Sequence, residues 1–177
     1  MAQDIAQAVI AECYGGLESH LLDIMKTIEL ASSADASAGW CLMNYQTAAL
    51  ICGSILPEWA RLTLAADERC VPSGVLAPTG SGQRVDGAIK VSGRWSFGSG
   101  CPNANGFLRM VVIIAEESSS AKSPFEVVMA MFSMDQFKTI DNWNVPGLRC
   151  TDSGDVVVTD EFAPEGRSWT NRYFTSC

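Results

Sequence analysis

A short aromatic stretch carries the residues with the clearest capacity to bind a ligand. Trp95, Phe97 and Ser99 alternate along the chain, and alternate side chains of a β-strand share one face. Such a face would present two flat apolar rings and a hydroxyl. Gly98 and Gly100 would let a flat ligand approach the backbone. The alternative is a strand whose aromatic side chains fill a core, and on these residues alone we favour that interpretation because aromatic residues are ordinary core residues.

The other residues that could bind a ligand or take part in a reaction are isolated in the sequence. Arg149 follows a Pro-Gly turn and could offer a fixed cation to an anionic ligand, although a surface arginine is the commoner case. The segment Gly80-Ser81-Gly82 resembles a phosphate loop, but a predicted strand follows it where a helix is required, so it indicates a hairpin loop. The cysteines show no CxxC spacing and the only histidine is His20, so we expect no metal site.

The composition limits the possible partners. The chain has 177 residues, 47% of them apolar, and a formal charge of −8, which disfavours nucleic-acid binding because phosphate would be repelled. No apolar run approaches the ~20 residues that span a bilayer, so no membrane partner is expected. Seven cysteines and an N-terminus without a signal-peptide pattern predict reduced thiols and a cytoplasmic location.

The elements that would position these residues fall into two halves. Up to about residue 68 the apolar spacing predicts four helices, at residues 4–13, 17–32, 36–52 and 57–66. After residue 69, short segments rich in Val, Ile, Phe and Trp alternate with Gly, Pro, Asp and Ser clusters, which is typical of antiparallel strands. We therefore predict an α+β fold with a helical domain at 1–69, an antiparallel β-barrel or sandwich at 70–170, and a tail at 171–177.

Several segments in register resemble the acyl-CoA dehydrogenase superfamily, over about residues 15–170. The matching segments are Tyr14-Gly15-Gly16-Leu17-Glu18, residues 34–40, Leu56-Pro57-Glu58-Trp59-Ala60, residues 74–80, residues 87–95, residues 147–153 and residues 156–164. Within this superfamily, the sequence from Trp95 to Cys101 is more similar to the flavin-dependent monooxygenases than to the dehydrogenases. The pair Ala77-Pro78 favours the same branch.

The resemblance implies a cofactor and a set of contacts. It implies FAD or FMN, delivered in reduced form by a separate reductase, and a small-molecule substrate that is hydroxylated with O2. It places Ala77, Pro78, Trp95, Phe97, Ser99 and Gly100 against the flavin, with Ser99 offering a hydrogen-bond donor near the N5 and O4 edge. Two alternatives stay open, namely an FAD-dependent acyl-CoA dehydrogenase and a non-catalytic fragment or binding module.

One part of the family pattern is missing from the sequence. Members of the superfamily have a C-terminal helical bundle that carries the catalytic base, part of the flavin site and most oligomer contacts, whereas this sequence ends at Cys177. We therefore assign no catalytic residue. We expect either a homo-oligomer or a partner that supplies the bundle, and an apolar third helix that is buried or covered by such a partner.

Overall fold

Two consecutive helices lead into a sheet in the computed structural model, which describes residues 8–55, 70–114 and 125–170. Helix α1 spans Leu21–Ala34 and helix α2 spans Ala36–Ile55. Asp35 separates them: its backbone N–H donates to the carbonyl of Ala31, and its carboxylate accepts from the N–H of Ala38 at 2.9 Å. Because one residue ends α1 and caps α2, the helices form a continuous pair. The predicted second and third helices are confirmed.

The first predicted helix is wrong within the described residues. The carbonyls of Ala8 and Ile10 accept from the N–H groups of Ser19 and Glu18, both at 2.8 Å, and so are not available to helical partners. The segment instead ends in a 3-10 turn at Glu12–Tyr14. Gly15, at φ +82°, closes that turn in the left-handed region, which only glycine adopts without strain. The fourth predicted helix and the predicted tail at 171–177 lie outside the described residues.

In the described residues, seven strands follow the helices, which confirms the α+β class. They are β1 Pro72–Val85, β2 Ala88–Trp95, β3 Gly106–Ile114, β4 Phe125–Ser133, β5 Lys138–Ile140, β6 Asp155–Pro164 and β7 Ser168–Thr170. The Asp-Gly dipeptide is a strong signal for a tight turn between two strands, and Asp86-Gly87 joins β1 to β2 in this way, with Gly87 at φ +68°.

The sheet is mixed and open, which corrects the prediction of an antiparallel barrel or sandwich. Its strand order is β5-β6-β2-β1-β3-β4-β7, and every neighbouring pair is antiparallel except β1 and β3. After the β1–β2 hairpin, the chain crosses back through residues 96–105 to the free side of β1, so β3 runs parallel to β1. This crossing segment is the loop on which the candidate site is built.

The two faces of the sheet bury different clusters. On one face, Phe107, Val111 and Ile113 of β3 join Trp95 and residues from every strand but β5 and β7 in the main core. On the other face, Leu108 and Met110 pack with sulfur-containing side chains, including Cys52 from α2. The alternation along β3 is what a strand buried on both faces requires. Helix α2 therefore covers one side of the sheet and lies next to the crossing loop.

The helices keep much apolar surface exposed. In α1 only Ile24 is buried, and four large apolar side chains are more than half exposed: Leu21, Leu22, Met25 and Leu30. In α2, Ala48, Ala49 and Cys52 are buried, whereas Trp40 and Leu50 are exposed. The third predicted helix is therefore covered on one side only. None of the helices in the described part of the chain is long and apolar enough to span a membrane.

Candidate functional site

The crossing loop departs from the predicted strand geometry. Strand β2 ends at Trp95, and Phe97 has φ +63°, in the left-handed region. The loop then forms a 3-10 turn at Cys101–Asn103 before β3 begins. Because the backbone leaves the extended conformation after Trp95, the prediction that Trp95, Phe97 and Ser99 share one strand face is wrong.

Trp95 is a core residue. Its side chain is fully buried, and its indole N–H donates to the carbonyl of Met110 at 3.1 Å. Glycines 80 and 93 lie against the ring so closely that a Cβ atom at either position would overlap it. The indole therefore offers no surface to a ligand, which corrects its predicted role as a flavin-facing wall. Trp95 instead packs in the main core, in the same cluster as Cys101 of the loop.

Phe97 is, in contrast, 67% exposed and belongs to a group of exposed and half-buried rings. Its ring meets the ring of Trp143 edge to face, with centroids 6.0 Å apart, and the Trp143 indole donates to the carbonyl of Leu148 at 3.0 Å. Trp40 of α2, 44% exposed, reaches the same loop through its indole N–H. We call Trp40, Phe97, Trp143 and Leu148 the aromatic rim. These residues bring apolar side chains to the crossing loop, and aromatic side chains are common in the walls of sites for planar ligands.

Ser99 is buried beside the aromatic rim and hydrogen-bonded on both sides of its hydroxyl. The Trp40 indole donates to Ser99 Oγ at 2.9 Å, and Ser153 Oγ lies 2.7 Å from it. The Ser99 carbonyl accepts from Ser73 Oγ at 2.8 Å, which ties the loop to β1. Trp40 and Ser153 were missed from the sequence because they are 59 and 54 residues from Ser99 along the chain.

Gly100 fixes the loop against α2. It has φ +72°, and a Cβ atom there would overlap the phenol ring of Tyr45. The Tyr45 hydroxyl donates to the Gly100 carbonyl at 2.9 Å, and the Gly100 N–H donates to the carbonyl of Thr151 at 2.8 Å. Burial raises the pKa of Tyr45, so the phenol stays protonated and keeps this donor. In the structure, the absence of a side chain at Gly100 permits the close approach of Tyr45, and the predicted contact of Gly100 with a flavin stays a prediction.

The structure brings the remaining predicted contact residues only partly to this site. Ala77 and Pro78 are exposed, on a segment of β1 that leaves the sheet register between Val75 and Gly80. The segment is held by Thr79, whose hydroxyl donates to the carbonyl of Arg94 at 2.9 Å. Arg149 is exposed and directly follows Leu148 of the aromatic rim. The contact of these three residues with a ligand stays a prediction.

A second polar feature lies behind the loop. Arg109 of β3 is fully buried, with Nη1 donating to the Leu108 carbonyl at 2.7 Å and Nη2 lying 3.5 Å from Cys101 Sγ. Its Nε has no hydrogen-bond partner in the described part of the chain. Burial lowers the pKa of Arg109 and raises that of the Cys101 thiol. Neither group belongs to the aromatic rim. The described residues contain no cluster of His, Cys, Asp and Glu able to hold a metal.

An ion pair fixes the strand ends beside the loop and makes a testable contribution to stability. Arg94 Nε donates to Asp155 Oδ2 at 2.5 Å, which joins the end of β2 to the start of β6. This hydrogen bond lowers the pKa of Asp155. A lowered carboxyl pKa stabilises the fold above the unfolded value of about 4 and loses that stabilisation as the pH falls through the folded value.

We therefore expect Asp155→Asn to lower the free energy of unfolding by about 1 kcal/mol or less at pH 7, since Arg94 is largely exposed. The difference from the wild type should shrink as the pH falls below the unfolded pKa of about 4 and through the lower folded pKa, because the carboxyl is then protonated in both states. Urea unfolding at several pH values measures both, and exposed Asp141→Asn serves as the control. A difference that is the same at all pH values would contradict this account.

The residues of the site fit one side of a flavin. An isoalloxazine ring is flat and largely apolar, with its polar atoms along one edge, and the protein must supply a matching surface and fixed hydrogen-bonding groups. The aromatic rim supplies exposed rings, and Ser99 supplies a hydroxyl held in place by Trp40 and Ser153. These groups come from α2, the crossing loop and residues 143–153.

Known proteins resemble the chain in sequence and structure, although no protein-family model matches it. It is 32% identical over 158 residues to a pigment production hydroxylase of a Rhodococcus species, a match that covers 88% of this chain and 39% of the relative. It is 30% identical over 161 residues to the oxygenase subunit HsaA of a flavin-dependent monooxygenase of Rhodococcus jostii, covering 88% and 40%.

A solved structure extends the likeness to the fold. The crystal structure of 3-HSA hydroxylase from Rhodococcus sp. RHA1 superposes with a TM-score of 0.85 and 26% identity, over 94% of this chain and 43% of that one. The chain therefore spans less than half the length of the proteins it matches. Over that part of their length, the chain is a homologue of the oxygenase components of flavin-dependent monooxygenases, which have the acyl-CoA dehydrogenase-like fold.

Proposed function

We propose that this chain supplies one wall of the flavin site of a two-component monooxygenase that hydroxylates a small molecule. The observation that carries the proposal is the position of the Ser99 hydroxyl, buried and hydrogen-bonded beside the exposed aromatic rim. The names of the relatives, a hydroxylase and the oxygenase subunit of a flavin-dependent monooxygenase, support the same conclusion. We do not propose acyl-CoA dehydrogenase activity, because neither relative is named for it.

Each part of the site has a distinct role in this proposal. Reduced flavin, FAD or FMN, would be the bound group that reacts with O2. The aromatic rim would bind the flat ring and exclude water from it, which a hydroxylating flavin requires. Ser99 would orient the polar edge of the ring. Arg149 would meet an anionic group of the cofactor or substrate, and Ala77 and Pro78 would contact the ring from β1.

The rest of the site would come from protein outside these 177 residues. The relatives are more than twice as long as the matched region, and the exposed apolar side chains of α1 and α2 provide a surface for further helices. A helical partner or a second copy of the chain would then complete the pocket and supply the catalytic base. A reductase would deliver the reduced flavin, as the word "oxygenase subunit" implies for the relative. The cytoplasmic location stays a prediction.

Anaerobic titration of the chain with reduced FMN and reduced FAD tests the proposal. We expect saturable binding, and we expect Phe97→Ala to weaken it about tenfold, because a stacked aromatic contact contributes about 0.5–1.5 kcal/mol beyond its buried area. Since Phe97 is exposed, the same change should alter the free energy of unfolding by only about 0.5 kcal/mol.

Phe162→Ala is the matched control, because Phe162 is also about half exposed but lies on β6 outside the aromatic rim. Equal losses of affinity in both variants would argue against a site at the rim. If the wild-type chain bound neither flavin at high micromolar concentration, the interpretation as a non-catalytic fragment would replace the proposal.

A further inference from the structure

A chain of hydrogen bonds runs from Ser99 away from the aromatic rim. Ser99 Oγ lies 2.7 Å from Ser153 Oγ, which lies 2.6 Å from Thr151 Oγ1. Thr151 Oγ1 in turn lies 2.8 Å from the carbonyl oxygen of Leu148. All three hydroxyl-bearing residues are at most 5% exposed, so water does not compete for these bonds. Each hydroxyl has a single proton to donate, and this fixes how the protons are arranged.

The carbonyl at the far end sets the direction of the whole chain. A carbonyl oxygen only accepts, so the Thr151 hydroxyl must donate to Leu148. Its proton being used, Thr151 can only accept from Ser153, and Ser153 can then only accept from Ser99. The Ser99 proton is therefore directed into the protein. The sequence-based expectation that the Ser99 hydroxyl donates to a flavin does not agree with this arrangement.

Trp40 limits the number of further hydrogen bonds that Ser99 can make. A hydroxyl oxygen has two lone pairs, and the Trp40 indole N–H, which can only donate, occupies one of them at 2.9 Å. The Ser99 N–H gives no alternative donor, because it bonds to the carbonyl of Phe97 at 2.9 Å. Ser99 Oγ thus retains one acceptor position, and a ligand group that bonds to it must be a donor.

We propose that Thr151 and Ser153 are positioning residues that make Ser99 a hydrogen-bond acceptor toward the flavin, and that this orientation favours the reduced cofactor. The inference rests on the proposed function, which places the N5 edge of the ring at Ser99. N5 carries a hydrogen in reduced flavin and is a bare acceptor in oxidised flavin. The N5–H of reduced flavin would donate to Ser99 Oγ. In oxidised flavin, N5 and Ser99 Oγ would both be acceptors, and two acceptors facing each other in a buried site are unfavourable.

The test compares Thr151→Val with Thr151→Ser in the 177-residue chain. Valine removes the hydroxyl, so that Ser153 and Ser99 can donate in the opposite direction. Serine keeps the chain of hydrogen bonds and its direction. We expect wild type and Thr151→Ser to bind reduced flavin about tenfold or more tightly than oxidised flavin. In Thr151→Val the ratio should fall to about threefold or less, through tighter binding of oxidised flavin. A merely structural role would weaken both forms together and leave the ratio unchanged, which would overturn the proposal.

A measurement without flavin separates this inference from the proposed function. In an NMR spectrum of the 15N-labelled chain, the Trp40 indole signal is assigned by its loss in Trp40→Phe. We expect this N–H to exchange with water more slowly in the wild type than in Ser99→Ala, which removes its acceptor. No difference would overturn the Trp40–Ser99 hydrogen bond, and with it the single remaining acceptor position of Ser99, while leaving flavin binding untouched. Slow exchange without binding of either flavin form would instead overturn the proposed function, and the preference with it.

Discussion

Replacing Trp95 with Ala is expected to lower the free energy of unfolding by about 3–5 kcal/mol, the range for deleting a large buried aromatic side chain. The indole is fully enclosed, donates to the Met110 carbonyl, and packs directly on Gly80 and Gly93. Alanine would leave a cavity in the main core and an unpaired carbonyl. Urea denaturation followed by far-ultraviolet circular dichroism measures the change.

The comparison with Phe97→Ala makes this result specific. Phe97 lies two residues further on, but it is exposed, so its loss should affect flavin affinity and leave stability nearly unchanged. Trp95→Phe keeps a ring in the core and should fall between the wild type and Trp95→Ala, which preserves the test if the alanine variant does not fold. A loss of flavin affinity with less than about 1 kcal/mol of destabilisation in Trp95→Ala would contradict the core assignment.

Gly100→Ala should be the most damaging single change within the loop, lowering the free energy of unfolding by about 2–5 kcal/mol. A left-handed conformation costs a residue with a Cβ about 1–2 kcal/mol, and overlap with the Tyr45 ring adds about 1–3 kcal/mol. The loop must then move away from α2. Because Ser99 is the adjacent residue, flavin affinity should fall together with stability.

Gly147→Ala provides the matched control, since a Cβ atom at position 147 meets no atom within 4 Å. It should change the free energy of unfolding by about 0.5 kcal/mol or less. Combining Gly100→Ala with Tyr45→Ala removes the overlapping ring, so the two effects should fall short of their sum by about 1 kcal/mol or more. Additive effects in the double variant would show that Tyr45 does not constrain the loop.

Local sequence signals predicted the elements well where local interactions decide the structure. The Asp86-Gly87 turn, the helices on either side of Asp35 and the change from helices to strands near residue 69 all followed from residue types and spacing. The parallel pairing of β1 with β3 did not, because it depends on the path of the chain across β1. Strand propensity alone does not specify which side of a hairpin the next strand joins.

The sequence pointed to one part of the candidate site, the stretch around Ser99, but not to its geometry or to the residues that surround it. The resemblance pointed to the stretch containing Phe97 and Ser99, but the alternation of aromatic residues suggested a strand that ends, in the structure, at Trp95. The left-handed conformation of Phe97 has no signature in its side chain. Trp40, Thr151 and Ser153 reach Ser99 only through tertiary packing, and no local pattern marks them.

The location of the flavin is the central claim, and hydrogen–deuterium exchange with and without reduced flavin under anaerobic conditions tests it most directly. We expect added protection in peptides covering residues 96–104 and 143–153 and the first half of α2, which carry the aromatic rim and the Ser99 hydrogen bonds. Peptides from β4 and from the far end of β6 should be unchanged. Protection confined to those strands, or none at saturating flavin, would contradict the account.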